Sequence, residues 1–226
     1  MDSVKKSNII TTNDGSHSVY NSRIQESYHS KHGAIVEAEH VFIRNGLLAE
    51  KNKKLNILEI GFGTGLNALL TSHHSKNKMI HVNYHAIELY PINKELYNTL
   101  NFTEMIGIDK AELLRLHQSK WGKKNIIHKY FSLIKNKIDL RVYTTNIKFD
   151  IIFFDAFSPE KQPELWDIKI FKNMYSILKD DGFLITYCAK GVVKRTMQKA
   201  GFKITVLDGP PGKRQMTRAN KNIIQI

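Results

Sequence analysis

The stretch that most constrains the fold is Leu55 to Thr71, LNILEIGFGTGLNALLT, in which a short apolar run meets three glycines and then a second apolar run. Leu55, Ile57, Leu58 and Ile60 suit a buried strand, Gly61, Gly63 and Gly65 a tight turn, and Leu66 to Leu70 the opening of a helix. Glycine reaches positive φ without a Cβ penalty and lets a backbone approach a ligand closely, and a helix start presents free N–H groups. A strand, glycine loop and helix in this order can hold a nucleotide-like cofactor. Which cofactor is open at this point. Such loops serve dinucleotides and S-adenosylmethionine alike, and a plain strand-to-helix turn has the same composition. The dinucleotide fingerprint wants glycine at the sixth place, which is Leu66 here. No Lys-Ser/Thr pair follows the loop, which argues against a nucleoside-triphosphate P-loop.

The chain around this motif alternates strand-like and helix-like segments. Residues 9 to 20 suit a hairpin with its turn at Asp14 and Gly15, an N-terminal flap. Ile35, Ala38, Val41 and Phe42 recur at helical spacing, with Gly46 as a stop. Val82 to Leu89 reads as a second strand carrying Glu88 at its end, followed by a helix near Ile92 to Leu100. Residues 101 to 138 read as a helical insertion, with Met105 to Leu116 and Ile126 to Ile134 both apolar at helical spacing. Leu140 to Tyr143 is the expected third strand, and Phe149 to Asp155 is a continuous apolar run of the kind a central parallel strand needs. A helix from Pro163 to Leu178, a turn at Asp180 to Gly182, a strand through Cys188, a helix from Val192 to Ala200 and closing strands at Lys203 to Leu207 and 222–226 complete the pattern. The Pro-Pro-Gly segment between the closing strands reads as a constrained surface loop. Alternation of this kind predicts a doubly wound α/β sheet in one domain over residues 1–226, with residues 1–50 as an N-terminal addition.

Charge bears on the partner. Lys and Arg number 34 against 21 Asp and Glu, a formal balance of +13 that favours a polyanionic partner, with plain solubility as the bland reading. Between Lys190 and Lys221 stand nine basic residues and one acid, Asp208. The polar N-terminus does not read as a signal peptide, and no run of 18 apolar residues occurs, so a cytoplasmic protein without a membrane span is expected. The one cysteine, Cys188, lies in an apolar run and reads as a small buried hydrophobe. His29, His32 and His40, and again His73, His74, His81 and His85, cluster in sequence, but neither group has a recognised zinc spacing; no metal is expected.

Several blocks together carry a resemblance: NDGSHSVY, YHSKHGAIVEAEHVFI, ILEIGFGTGLNALL, DAFSPEKQPELW, TYCAKGVVKRTMQKAGF and GPPGKRQMTRA. They resemble the class I, Rossmann-like methyltransferases, and among these the tRNA 5-(aminomethyl)uridine methyltransferases related to the methyltransferase half of the bifunctional MnmC proteins. The glycine block is shared widely, whereas the DAFSP-to-Trp and GKRQM blocks are specific to this group. The resemblance implies a mostly parallel seven-stranded sheet with one antiparallel strand. It implies S-adenosylmethionine as cofactor, with contacts at Glu59, Gly61, Gly63, Gly65, Asn67 and Glu88. It also implies methyl transfer to the amine of 5-aminomethyl-(2-thio)uridine at the tRNA wobble position, with the anticodon stem-loop as partner. The flavin-dependent domain of the bifunctional relatives has no counterpart in these 226 residues, so the amine is expected from another source. Relatives carry a Gly-Asp pair after the third strand, and with that strand at 140–143 the corresponding stretch is TyrThrThrAsn, residues 143–146, which leaves the adenine contact without its acid.

Methylation of an amine needs a free lone pair, and an alkyl ammonium with a pKa near ~10.4 is almost wholly protonated at neutral pH. Asp155, at the end of the central run, is the expected proton acceptor. A turn or N-cap acid is its bland reading. Phe157 and Trp166 are candidates to face the base, with helix packing as the alternative for Trp166. Lys213 and Arg214 are the expected phosphate contacts. Two other readings stand beside this one: an N-methyltransferase for a small molecule or protein, and a non-catalytic RNA-binding module with a degenerate cofactor pocket.

Overall fold

A computed structural model describes residues 7–221. Strands β1 (Asn8–Thr11), β2 (His17–Asn21) and β3 (Glu26–Ser27) form a small antiparallel sheet. Its first hairpin turns through residues 12–16, with Gly15 at φ 83°, as its Asp-Gly pair demands. Asp14 does more than turn the chain. Its carboxylate accepts from Thr12 Oγ1 at 2.8 Å and from the Ser16 and Val36 N–H groups at 3.0 and 3.1 Å, and so ties the hairpin to the start of α1 (Ala34–Ala38). That helix continues as a wider π turn over Glu39–Arg44 and stops before Gly46. Its buried Ala38, Val41 and Phe42 pack on the main sheet, with the Phe42 and Phe153 rings 5.2 Å apart.

The main sheet is built from β4 (Lys54–Ile60), α2 (Leu66–Lys78), β5 (His81–Ile87), α3 (Lys94–Thr99), α4 (Phe102–Met105), α5 (Lys110–Gln118), β6 (Lys124–His128), β7 (Phe131–Asn136), β8 (Phe149–Phe154), α6 (Ile168–Ile177), β9 (Leu178–Thr186), α7 (Gly191–Lys199), β10 (Lys203–Asp208) and β11 (Gln215–Asn220). Strand order is β10-β11-β9-β8-β4-β5-β7-β6. The inner five, β9-β8-β4-β5-β7, are mutually parallel, while β11 pairs antiparallel with β9 and β10, and β6 antiparallel with β7. Chain direction across the sheet reverses between β4 and β8, and the carboxyl ends of those strands open a crevice. β8 is wholly buried, with Ile151 and Phe153 packing towards α2 and the π turn and Ile152 and Phe154 towards α6. Losing the Phe153 side chain would cost about 3–5 kcal/mol, as for any large core truncation.

Four sequence expectations need correcting. The expected helix at Ile126 to Ile134 is the β6-β7 hairpin, in which Ile127, Phe131 and Leu133 pack on the core while β6 lies at the sheet edge. The expected strand at Leu140 to Tyr143 is a 3-10 turn whose first N–H groups are capped by Asp139, so β7 is the third parallel strand. The loop expected before residue 222 holds β11, whose polar letters QMTRAN become a strand through pairing on both sides, with Met216 against Leu207 and Thr217 against Thr186. The strand expected at 222–226 lies outside the described residues. The sheet therefore has eight strands among the described residues, not seven, the extra one being β6 at the edge. The Asp-Asp-Gly turn is an outward loop within β9, with Asp181 at φ 67° and Lys179 paired to the buried Asp150 at 2.9 Å.

Candidate active site

The crevice holds a cleft of about 430 Å³, within the range of small-ligand sites. Its floor is the glycine loop. Gly61 (φ 89°) continues from β4 and donates its N–H to Ile87 O at 3.0 Å. A Cβ there would stand 2.6 Å from the Asp155 backbone oxygen, so the closeness of the β8 exit requires glycine. Gly63 (φ 49°) donates its N–H to Glu88 Oε2 at 2.9 Å, and a Cβ there would meet the Tyr28 ring at 2.8 Å. Gly65 (φ 76°) begins α2 but does not line the cleft; it faces His117 and Phe62.

Glu88, Asp139, Asp155 and Phe157 converge on this cleft from β5, the β7 exit and the β8 exit. Glu88 also accepts from the Tyr90 N–H at 2.8 Å, and burial raises its pKa against three backbone hydrogen bonds that lower it. Asp139 follows the true third strand by three residues and lines the cleft, so an acid does stand after that strand. Its carboxylate is held below the usual range by hydrogen bonding to Arg141, with burial opposing. Asp155 accepts from Asn67 Nδ2 at 2.8 Å, and its own N–H donates to Ile60 O at 3.0 Å. Burial pushes its pKa up to about 7, with the Asn67 hydrogen bond and Lys213 pulling against that rise and Glu37 adding to it. A carboxyl group in that range exchanges a proton at neutral pH.

The N-terminal sheet roofs the cleft. Tyr28 lies on the glycine loop and meets Phe157 edge-to-face at 4.9 Å. Glu26 accepts from the Ser158 N–H and Oγ at 3.0 and 3.1 Å, which ties the roof to the loop after β8. His29 is hydrogen-bonded with Ser18 Oγ and Thr64 Oγ1 at 3.0 and 3.1 Å, and burial holds its pKa down to about 4. Among the described residues no group of three or more His, Cys, Asp and Glu side chains is placed to hold a metal ion.

Besides Gly65, two candidate residues, Glu59 and Lys213, stand elsewhere than expected, and Trp166 takes its packing alternative. Glu59 has no solvent exposure and does not line the cleft; its side chain points beneath the loop, between sheet and α2. Lys213 is not a free surface cation, since its Nζ bonds Glu37 Oε2 at 2.5 Å and sits 4.1 Å over the Tyr187 ring, in the cleft wall. Trp166 is core, donating its Nε1–H to Phe157 O at 2.9 Å and packing on Phe154. Arg214 is exposed, as a phosphate contact requires. Sequence reasoning passed over Tyr28, Glu37 and Tyr187 as site residues. Tyr28 and Glu37 lie in the YHSKHGAIVE block and Tyr187 in the TYCAKG block, which are the only signals that could have found them.

Glu88 retains acceptor lone pairs beyond those used by backbone N–H groups, Leu89, Ile138 and Leu140 supply an apolar wall, and Asp139 adds an acid beside it. This set of acceptors fits an adenosine-bearing cofactor, whose ribose hydroxyls and purine amino group donate to carboxylates.

The fold is that of the class I, Rossmann-like methyltransferases. It matches the crystal structure of MnmC2 from Aquifex aeolicus with a TM-score of 0.78 at 25% identity, over 96% of this chain and 71% of that one. A methyltransferase from Pyrococcus furiosus shares the fold more loosely, with a TM-score of 0.50 at 17% identity, over 78% of this chain and 80% of that one. Residues 117–222 match a family described as S-adenosyl-L-methionine-dependent methyltransferases. In sequence the chain is 30% identical over 213 residues to the tRNA 5-methylaminomethyl-2-thiouridine biosynthesis bifunctional protein MnmC of Leptospira interrogans, covering 86% of this chain and 32% of that protein. It is 29% identical over 209 residues to the same-named protein of Burkholderia multivorans, covering 84% and 31%. It spans about a third of the length of these curated relatives. These likenesses support an MnmC-like methyltransferase domain.

Proposed function

We propose that this chain methylates the amine of 5-aminomethyl-(2-thio)uridine at the tRNA wobble position, using S-adenosylmethionine and giving 5-methylaminomethyl-(2-thio)uridine. The observation that carries the reading is Asp155. It stands at the exit of the central strand, opens into the cleft beside the glycine loop, accepts from Asn67 at 2.8 Å and titrates about 7. The likeness to MnmC proteins over most of the chain supplies the substrate.

S-adenosylmethionine supplies an electrophilic methyl group on a sulfonium. Gly61, Gly63 and Asn67 shape its seat, Glu88 takes the ribose hydroxyls, and Asp139 with Leu140 takes the adenine. Asp155 receives the proton that the incoming ammonium must shed, which leaves the nitrogen lone pair free. The covered cleft favours that transfer, because desolvation disfavours the charged amine. Tyr28 and Phe157, in edge contact, offer aromatic walls for an unstacked base.

The RNA would approach across the carboxyl ends of the parallel strands, in the cytoplasm where tRNA is modified. Lys190, Lys194, Arg195 and Arg214 lie towards this end, whereas Lys199 closes α7, four residues beyond Arg195 and about 6 Å further along the axis. Lys221 is at the opposite end, bonded to Leu178 O and paired with Asp180. Only the first group can follow a backbone entering the cleft.

The test is direct. The protein and S-adenosylmethionine are incubated with tRNA bearing aminomethyluridine, the product is digested, and the nucleosides are weighed by mass spectrometry. A gain of one methyl on that nucleoside is expected; methylation of unmodified tRNA or of none would contradict the reading.

A further inference from the structure

Every buried side-chain nitrogen or oxygen without a hydrogen bond among the described residues lies in one place. These are both Glu59 carboxyl oxygens, Asn67 Oδ1, Thr71 Oγ1 and the Tyr84 hydroxyl. Glu59 is on β4, Tyr84 on β5, and Asn67 and Thr71 are one turn apart on α2, so the cluster fills the space between sheet and helix directly under the cleft. Asn67 belongs to both levels. Its other amide atom, Nδ2, donates to Asp155 at 2.8 Å, and Asn67 lines the cleft that Glu59 does not reach.

We propose that Glu59 is a positioning residue for proton transfer, which acts through Asn67 to hold an amide N–H on Asp155. Resting on the reading of Asp155 as proton acceptor, this replaces the cofactor contact expected of Glu59 from sequence, a contact its burial precludes. An amide can present either its N–H₂ or its oxygen to Asp155, and only the first stabilises a carboxylate. What fixes the choice must sit on the buried side of Asn67, where Glu59 is. Burial pushes the Glu59 carboxyl well above its ordinary range, which favours the neutral acid, and Asp155 and Glu88 nearby add to that push, while the neighbouring Asn67 and Tyr84 side chains oppose it. A neutral Glu59 does not compete with Asp155 for the amide hydrogens, as an ionised one would, and its O–H has the unpartnered Asn67 Oδ1 within the same cluster to donate to. Asp155 itself faces Glu37 from α1, Lys213 from the loop before β11 and Tyr187 after β9. The Asn67 side chain hydrogen-bonds Asp155 and none of these three, which leaves the buried cluster below to set the amide's orientation.

Infrared difference spectroscopy on the full chain reads the two carboxyl groups without any methylation assay, in wild type, Glu59→Gln and Glu59→Leu. A neutral carboxyl band present at neutral pH and lost in Glu59→Gln is expected. The ionisation midpoint of Asp155, identified by its loss in Asp155→Asn, is expected to stay in place in Glu59→Gln, whose neutral amide still holds Asn67. In Glu59→Leu it should move up by roughly one unit as the Asn67 amide is freed. In single-turnover methylation the acid limb should move with it, a loss of about tenfold in rate below the midpoint. Should Glu59→Leu fail to fold, Glu59→Gln decides alone. A lost band with an unmoved midpoint supports the proposal, and a retained band or a moved midpoint overturns it. Unmoved midpoints in a folded Glu59→Leu, or a defect confined to cofactor affinity by calorimetry, would also overturn it. A wild type that shows both bands as expected but methylates no tRNA overturns the reading of the activity and leaves the Glu59–Asn67–Asp155 linkage standing.

Discussion

Burial acts on the titratable residues around the cleft in opposite senses, raising acids and lowering imidazoles. Glu59 and Asp155 are pushed up, Asp155 to about 7, while His29 and His117 are held down to about 4. An imidazole titrating at 6.5 when unfolded and about 4 when folded contributes stability that is fully present above pH 6.5 and is lost as pH falls towards 4. The raised carboxyl groups work the other way, their contribution fading as pH rises through the folded value. Thermal melts should therefore show a steep loss of Tm on the acid side that is shallower in a His29→Gln, His117→Gln double variant. An unchanged acid slope would mean that the rings are not held neutral. Glu88 belongs to the same scale. Its carboxylate both closes the glycine loop through Gly63 and faces the cleft, and charge-assisted hydrogen bonds are worth roughly 1.5–3 kcal/mol. Calorimetry on Glu88→Ala should show S-adenosylmethionine affinity reduced by about tenfold or more; wild-type affinity in a folded variant would remove Glu88 from the site.

At the scale of elements, the central α/β units were legible in the sequence because each couples an apolar run to a strong local signal. Ile57 to Ile60 runs into three glycines, Phe149 to Phe154 into Asp155, and Val192 to Lys199 into Gly201, and the structure puts strand, strand and helix there. The edge elements were not. β6-β7 carries Ile126, Ile127, Phe131 and Ile134 at spacings that also suit a helix, and β11 has a polar sequence that only pairing with β9 and β10 makes a strand. One misplaced element displaced a candidate residue: with the third strand set at 140–143 the adenine-side acid was sought at 143–146, seven or more residues beyond β7, when Asp139 stands in the cleft wall. Lys213 was misread for a related reason. Its sequence neighbours are a basic loop, and only the fold shows Glu37 from α1 reaching it at 2.5 Å. Lys213→Ala should therefore disturb the cleft wall and the titration of Asp155, raising its pKa because a nearby cation is lost, more than it disturbs the salt dependence of RNA binding.

Across the whole molecule, the sheet sorts the basic excess by height. Lys194, Arg195 and Arg214 lie towards the cleft end, and Lys199 and Lys203 at the far end, although all five belong to one basic stretch of sequence. Each phosphate contact releases a condensed counterion, so replacing Lys194, Arg195 and Arg214 together by alanine should raise the KM for tRNA and flatten the salt dependence of binding. Replacing Lys199 and Lys203 should do neither. Equal effects from the two sets would mean that the RNA does not enter from the cleft end.

Whether Asp155 takes the proton of the substrate amine is read from single-turnover methylation of aminomethyluridine tRNA by wild type and Asp155→Asn, followed across pH. Asn keeps the shape and the hydrogen-bonding reach of Asp but removes nearly all its basicity. The wild-type rate should rise with pH through about 7, where Asp155 ionises. The variant should be slower by roughly 10² to 10⁴ at neutral pH, with cofactor affinity little changed, and should recover part of the rate as solution deprotonates the amine towards its ~10.4 reference pKa. A folded Asp155→Asn protein with near wild-type kcat at neutral pH and the same pH profile would contradict the account and leave Asp155 as a turn residue at the end of β8.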